Sequence, residues 1–473
     1  VSAAAGGLKS EFLLTNGQLG WILGAGIWGF TISIFILGPL CDVLGMKTLM
    51  RFAFACHLVG PLMMMAANVA APFFMLFTGA LIVSMGNGTV EAACNPLVAT
   101  LYPEQKTRKL NQFHVWFPGG ITIGGILSWL LDQSGITAWE VKIALIMVPT
   151  VIYGYLMLAQ KFPPTESHAS GVSFGEMFHH TFSRPLFWLL FICMMMTASV
   201  ELGPNRWVPA ILESGGLHGI LVLAWINGLM ALLRFFAGPV VHRLAPTGVL
   251  TISAVVSGIG LLLLSYADST VTAFLTATIF AVGVAYFWPT MIGVTSERVP
   301  KGGPLALAMM GGMGMAIVGL VTTPYMGGVI DREMTTQLNP TETERVLREV
   351  VATYPELAAQ AEPALAGEIN VAVAKAQEAF ASERDAERRF VEGPMVANAL
   401  REAIRTGGDS PLVADAQRIL GPAENEGGKT AFRHVVPLTA ILFVIFGLLY
   451  VSDRARGGYK VERLNVESTN ETA

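Results

Sequence analysis

Asn87, Glu91 and Asn95 recur at every fourth residue of "NGTVEAACNP", a run otherwise small or apolar, and so share one face of a helix. The stretch "TASVELGPNRW" repeats the device with Thr197, Glu201 and Asn205. A charge stranded in hydrocarbon costs about 3 kcal/mol by insertion scales, so each acid must meet water, a cation or a proton. A desolvated carboxyl can load and release a proton, and neighbouring amides can exchange hydrogen bonds with hydroxyls. His114 in "LNQFHVWFP" adds an imidazole that both donates and accepts. Tyr286 and Trp288, beside Pro289, offer an aromatic plate suited to the C–H face of a sugar. Each has a plainer reading. Arg234 or Arg206 can neutralise the acids as helix locks, His114 can bond a carbonyl in a core, and membrane aromatics commonly just pack. No nucleophile–base set, no metal spacing and no Gly-x-x-x-x-Gly-Lys-Ser/Thr loop occurs, so the reading is a non-enzyme without cofactor, metal or ATP.

The elements that must position these residues are membrane spans. With 473 residues, 53% hydrophobic, 14% charged and a mean hydropathy of +0.56, the chain is not a soluble domain. Apolar runs of about 20 residues predict eleven transmembrane helices. They lie near 18–39, 48–68, 73–100, 113–131, 141–160, 186–211, 218–241, 249–265, 271–293, 304–329 and 434–452. Fifty glycines suit closely packed membrane helices. Fourteen Lys and Arg fall in alternate short loops and the C-terminal tail, against only Lys9 and Lys142 in the opposite short loops. The positive-inside rule makes the fourteen-residue side cytoplasmic and predicts an inner-membrane protein with its C-terminus inside. Eleven spans then leave the N-terminus outside, and a further helix before Val1 is expected, twelve in all.

The chain also repeats itself. "GPLCDVLGMK" (38–47) returns as "GPVVHRLAP" (238–246), and Asn95-Pro96 with Gly119-Gly120 returns as Trp288-Pro289 with Gly311-Gly312. Near-constant offsets of 200, 193 and 192 imply two six-helix halves. Gly38-Pro39-x-x-Asp42-x-x-Gly45-x-Lys47 resembles the signature loop between the second and third helices of the major facilitator superfamily. That resemblance implies an all-α membrane fold whose two halves rock about a cavity lined by helices one, four, seven and ten. It makes Gly38, Asp42 and Gly45 gating residues, and Arg234, toward the cytoplasmic end of its helix, is read as a gating residue with them. His242-Arg243 stands where the second copy would keep an acid. Counting the expected first helix, Glu91 lies in helix four and Glu201 in helix seven. "EAACNP" followed by "LNQFHVWFPGG" further resembles the fucose:proton symporter branch. There the matching glutamate is tied to proton coupling, which falls on Glu91, and a sugar contact falls on His114. The carboxylate that this branch carries in its first helix has no counterpart here.

These readings divide the chain into an extracytoplasmic segment (1–17), an N-terminal half with helices two to six (18–160) and a cytoplasmic linker (161–185). Helices seven to eleven (186–330), a helical extracytoplasmic insertion (331–433), a final span (434–452) and a cytoplasmic tail (453–473) follow. The insertion holds 18 of 34 acidic and 12 of 30 basic residues in amphipathic, alanine-rich stretches separated by the breakers "GGDSP" and "GPAENEGG". It could be a cap over the outer mouth, a docking module or a decoration. The function expected is secondary active transport of a sugar or similar polar solute by proton symport, in a lipid bilayer, as a monomer and without nucleic acid. Glu91 and Glu201 are the expected proton-coupling residues; Asn87, Asn95, His114, Asn205, Tyr286 and Trp288 are the expected solute contacts. The alternatives are a facilitator or exporter of amphiphiles, which "CMMM" (193–196) would suit, and a non-transporting sensor with the insertion as receptor.

Overall fold

The computed structural model describes residues 8, 11–12, 16–67, 71–136, 138–381, 393–408 and 410–464, and all regular structure among them is helical. The first half comprises α1 (Asn16–Leu37), α2 (Met46–Met65), α3 (Pro72–Leu101), α4 (Lys106–Gln133) and α5 (Trp139–Met157). The second begins with α6 (Pro185–Ser214), α7 (Gly219–Phe235), α8 (Ala237–Leu264), α9 (Thr270–Arg298) and α10 (Pro300–Gln337). Then come α11 (Pro340–Gln360), α12 (Pro363–Ala381), α13 (Gly393–Thr406) and α14 (Pro411–Ala455). Among the described residues, nine helices are long and apolar enough to cross a membrane, and Trp21–Leu37 and Gly219–Phe235 are shorter apolar helices. Together they fall on the eleven predicted spans.

Glycine sets how closely these helices approach. A Cβ at Gly60 of α2 would stand 2.8 Å from the carbonyl oxygen of Gly79 in α3, and a Cβ at Gly79 equally close to that of Gly60. Two hundred residues on, Gly260 of α8 lies as tightly against the backbone of Phe280 in α9. The backbone repeat extends to the signature loop. Gly45 adopts φ 79°, ψ 140°, and Ala245, at the same offset, adopts φ 59°, ψ 159°. The second copy has lost the acid and the glycine yet kept the turn, at a steric cost of about 1–3 kcal/mol for an L-residue in this positive-φ, extended-ψ region. Ala245→Gly is therefore expected to raise the melting temperature in detergent; an unchanged or lower value would show that this turn carries no strain.

Two spans are broken in mid-course. In α4 the helix gives way at His114–Val115, and in α9 at Ala285–Tyr286. Pro118 and Pro289 follow by four residues and have no N–H to offer the carbonyls of His114 and Ala285. Both carbonyls are left in need of a donor at membrane depth.

The insertion is not hung on loops. Its core, which includes Val346, Leu347, Val350, Tyr354, Ile369, Leu400 and Ile419, also takes in Met334 from the end of α10. The expected boundaries at 331 and 434 both fall within continuous helices, α10 and the 45-residue α14, which at 1.5 Å per residue is about 67 Å long. "GPAENEGG" is helical, not a break. Its glycines serve packing: a Cβ at Gly427 would sit 2.6 Å from the Ile330 carbonyl oxygen, and one at Gly428 2.3 Å from the Ile211 side chain. Asn425 Nδ2 also donates to the Ile211 carbonyl at 2.7 Å.

Candidate functional site

Arg234 lies fully buried in the last turn of α7. Its Nη2 donates to Glu201 Oε1 at 2.7 Å, its Nε to the Ala285 carbonyl at 2.6 Å and its Nη1 to the His114 carbonyl at 3.2 Å. One guanidinium thus neutralises the acid of α6 and supplies donors to both carbonyls that the prolines set free. Glu201 is equally buried, and its second oxygen accepts the Trp288 backbone N–H at 3.2 Å. Since His114 belongs to the first half and the other partners to the second, Arg234 also joins the halves. Arg206, the other cation considered for Glu201, sits exposed on α6 and has no ion-pair partner among the described residues.

The acid of α3 has a different setting. Glu91 is half-buried, its side chain 15% exposed. Asn95 Nδ2 donates to Glu91 Oε2 at 2.5 Å, and His114 Nε2 stands 3.2 Å from Oε1 and 3.4 Å from Oε2. His114 Nδ1 faces the Leu110 carbonyl at 2.8 Å, so both ring nitrogens are engaged by the protein. Asn87, the third member of the stripe, is exposed; its Oδ1 lies 3.1 Å from His57 Nε2, whose other nitrogen meets Tyr153 Oη at 2.9 Å. A chain of five residues therefore runs Asn95–Glu91–His114–Arg234–Glu201.

The structure does not gather every expected contact. Trp288 is 7% exposed and wedged against α10, where a Cβ at Gly314 would lie 2.8 Å from its ring. Tyr286 is also buried and donates to the Leu233 carbonyl at 3.1 Å. Asn205 is half-buried, with an Oδ1 that no donor among the described residues reaches. The Oδ1 atoms of Asn95 and of Asn111, a residue of α4 that sequence reasoning passed over, share that condition. Asn111 gives its Nδ2 to Thr290 of α9 at 3.2 Å. Its place one turn before His114 was the available signal.

The basic end of the bundle is shut. Thr107 N, in the first turn of α4, donates to Glu297 of α9 at 3.0 Å, an anion set at a helix N-terminus. Lys106, buried, pairs with Glu166. The tail crosses this seam: Tyr459 Oη donates to Glu297 at 2.7 Å, Arg184 pairs with Glu462 at 2.7 Å, and Arg463 pairs with Glu104. Burial and the neighbouring Glu297 push the Tyr459 phenol well above its ordinary range, so it stays a donor near neutrality. Asp42 accepts from Thr165 and, at 3.1 Å, from Ser167, which moors the signature loop to the linker. Gly38 touches the other half, since a Cβ there would stand 2.0 Å from Ala308 Cβ. Gly38→Val is expected to pry this end open. With the native cysteines Cys41, Cys56, Cys94 and Cys193 replaced, Ser296→Cys, a near-isosteric change at a buried position of the same end, should then react with a membrane-impermeant thiol reagent at least several-fold faster than without the valine, and equal rates would contradict the contact.

Two helical bundles thus meet at a closed end, with Glu91 and the Glu201–Arg234 pair held at membrane depth. The Major Facilitator Superfamily profile matches residues 1–330, and the chain belongs to that family, a carrier and not an enzyme. No curated protein sequence matches it. Among solved structures it is similar to FucP, a major facilitator transporter in the outward conformation, at 18% identity and a TM-score of 0.57, covering 70% of this chain and 89% of that one. The proton:xylose symporter XylE bound to 6-bromo-6-deoxy-D-glucose follows at 14% identity and 0.56, covering 69% and 84%. The human organic anion transporter MFSD10 (TETRAN) matches at 12% identity and 0.54, covering 94% and 89%. At these identities the likeness is one of fold.

Proposed function

We propose that this carrier moves a sugar or similar polyol across the inner membrane by proton symport, with the basic end and C-terminus cytoplasmic and the chain acting as a monomer. The observation that carries the reading is the half-buried Glu91, an acid at membrane depth whose side chain stays 15% exposed and is met by an amide and an imidazole, not by a Lys or Arg. Glu201 is its contrast: sealed against Arg234, it serves the seam between the halves. Three amide oxygens without protein donors, on Asn95, Asn111 and Asn205, suit a ligand rich in hydroxyl donors. Asn87, with accessible polar atoms, completes the proposed contacts, and Tyr286 and Trp288 support the wall behind them. Likeness of fold to a proton:xylose symporter supports the same reading.

A second reading, carriage of an organic anion, is favoured by the exposed Arg206 and by the MFSD10 likeness. Uptake by proteoliposomes from a panel of neutral sugars, polyols and sugar acids, under an imposed inward proton gradient, separates the two. The symport reading expects accumulation of a neutral member that a protonophore abolishes. Accumulation of acids alone would favour the second, and no proton dependence would overturn the first.

A further inference from the structure

We infer that Glu91 and His114 form one proton-carrying unit, with the transported proton held between the carboxylate and Nε2 of the imidazole. This rests on the proton-symport reading and assigns His114 a different task from the sugar contact that the sequence resemblance gave it.

The geometry leaves little choice about where protons sit. A backbone carbonyl only accepts, so His114 Nδ1, 2.8 Å from the Leu110 oxygen, carries a hydrogen. With that site filled, a neutral ring has a bare lone pair on Nε2, aimed at the oxygens of Glu91 3.2 and 3.4 Å away. An ionised carboxylate facing a bare nitrogen sets lone pair against lone pair. The contact becomes a bond when one proton occupies the gap, whether the acid or the ring owns it. Asn95 donates to the same carboxylate and so fixes its orientation without supplying that proton.

The surroundings give the proton one route. His114 is 3% exposed, so exchange with water runs through Glu91. The other charged groups near the pair are Arg234 and Glu201, which neutralise each other at 2.7 Å, and Arg234 reaches the His114 carbonyl but not its ring. On α3 itself, the thiol of Cys94 is a further polar neighbour of Glu91 and is turned to Met50 of α2. His114 also sits on the break in α4, and the peptide that carries it is the one Arg234 binds from the other half. Loss of the proton would turn an attraction between α3 and α4 into a repulsion at the point where the halves are joined. That is a physical link between proton loading and the movement of the halves.

The test uses the full chain labelled with ¹⁵N-histidine, the His114 signals being assigned by their absence in His114→Gln. A shared proton predicts that the pH at which the His114 ring titrates moves by at least one unit in Glu91→Gln. An unchanged titration overturns the inference, whatever the protein transports. Proteoliposomes supply the functional arm: in His114→Gln, the pH at which uphill uptake is half-maximal should move by about one unit or more, because Gln cannot share a proton. A raised solute KM with an unmoved pH profile would make His114 a solute ligand instead and overturn the inference. If wild-type protein moves solute with no proton at all, the symport reading fails separately, and the NMR result still decides whether the pair shares one.

Discussion

Arg234→Met should be the most damaging single substitution in the bundle, with a loss of stability of about 3–5 kcal/mol, the usual result of leaving a buried charge without its partner. Glu201 would stay behind, fully buried, and the carbonyls of Ala285 and His114 would lose their donors together. Removing the acid as well should reverse much of the damage. Glu201→Gln combined with Arg234→Met leaves no uncompensated charge, and its melting temperature in detergent is expected to lie well above that of Arg234→Met alone. The double variant still lacks the bond to the His114 carbonyl, so its transport should stay impaired after its stability has recovered. Single and double variants melting alike would show that the pair does not act as a unit.

The second large effect concerns coupling. Each pH unit across the membrane can drive at most about tenfold accumulation through a one-proton symporter, since 1.4 kcal/mol corresponds to a factor of ten. Glu91→Gln preserves size and hydrogen bonding but removes the titrating oxygen, and the partner proton of His114 goes with it. Accumulation should fall to the level of equilibration, while solute exchange across the membrane, which needs no net proton movement, persists. Uphill uptake that survives in this variant would move the coupling site elsewhere.

Much of this arrangement was legible in the chain. Hydropathy gave the spans, the i, i+4 spacing put Asn87, Glu91 and Asn95 on one face, and the offset of 200 residues reappears in the paired glycines and in the shared turn at Gly45 and Ala245. Arg234 was legible as one of two cations within the spans, and its choice over Arg206 could have been legible too. Five positions along a helix from Glu201, Arg206 points off that residue's face, a matter of rotation that spacing alone could have decided. The prolines were also informative: Pro118 and Pro289 mark, four residues back, the two carbonyls that Arg234 serves. What spacing cannot reveal is which segments meet across 120 residues, as His114 and Arg234 do. Glycines 427 and 428 misled because a breaker by propensity becomes a contact residue once a neighbouring helix needs the room.

The account turns on Glu91 moving a proton with the solute, and the most direct measurement follows both together. Solute that supports uptake would be added to lightly buffered proteoliposomes while external pH is recorded alongside labelled solute entry. The prediction is an external alkalinisation in step with uptake by wild-type protein and none in Glu91→Gln. Solute entry without any pH change in the wild type, or an equal change in the variant, would contradict it.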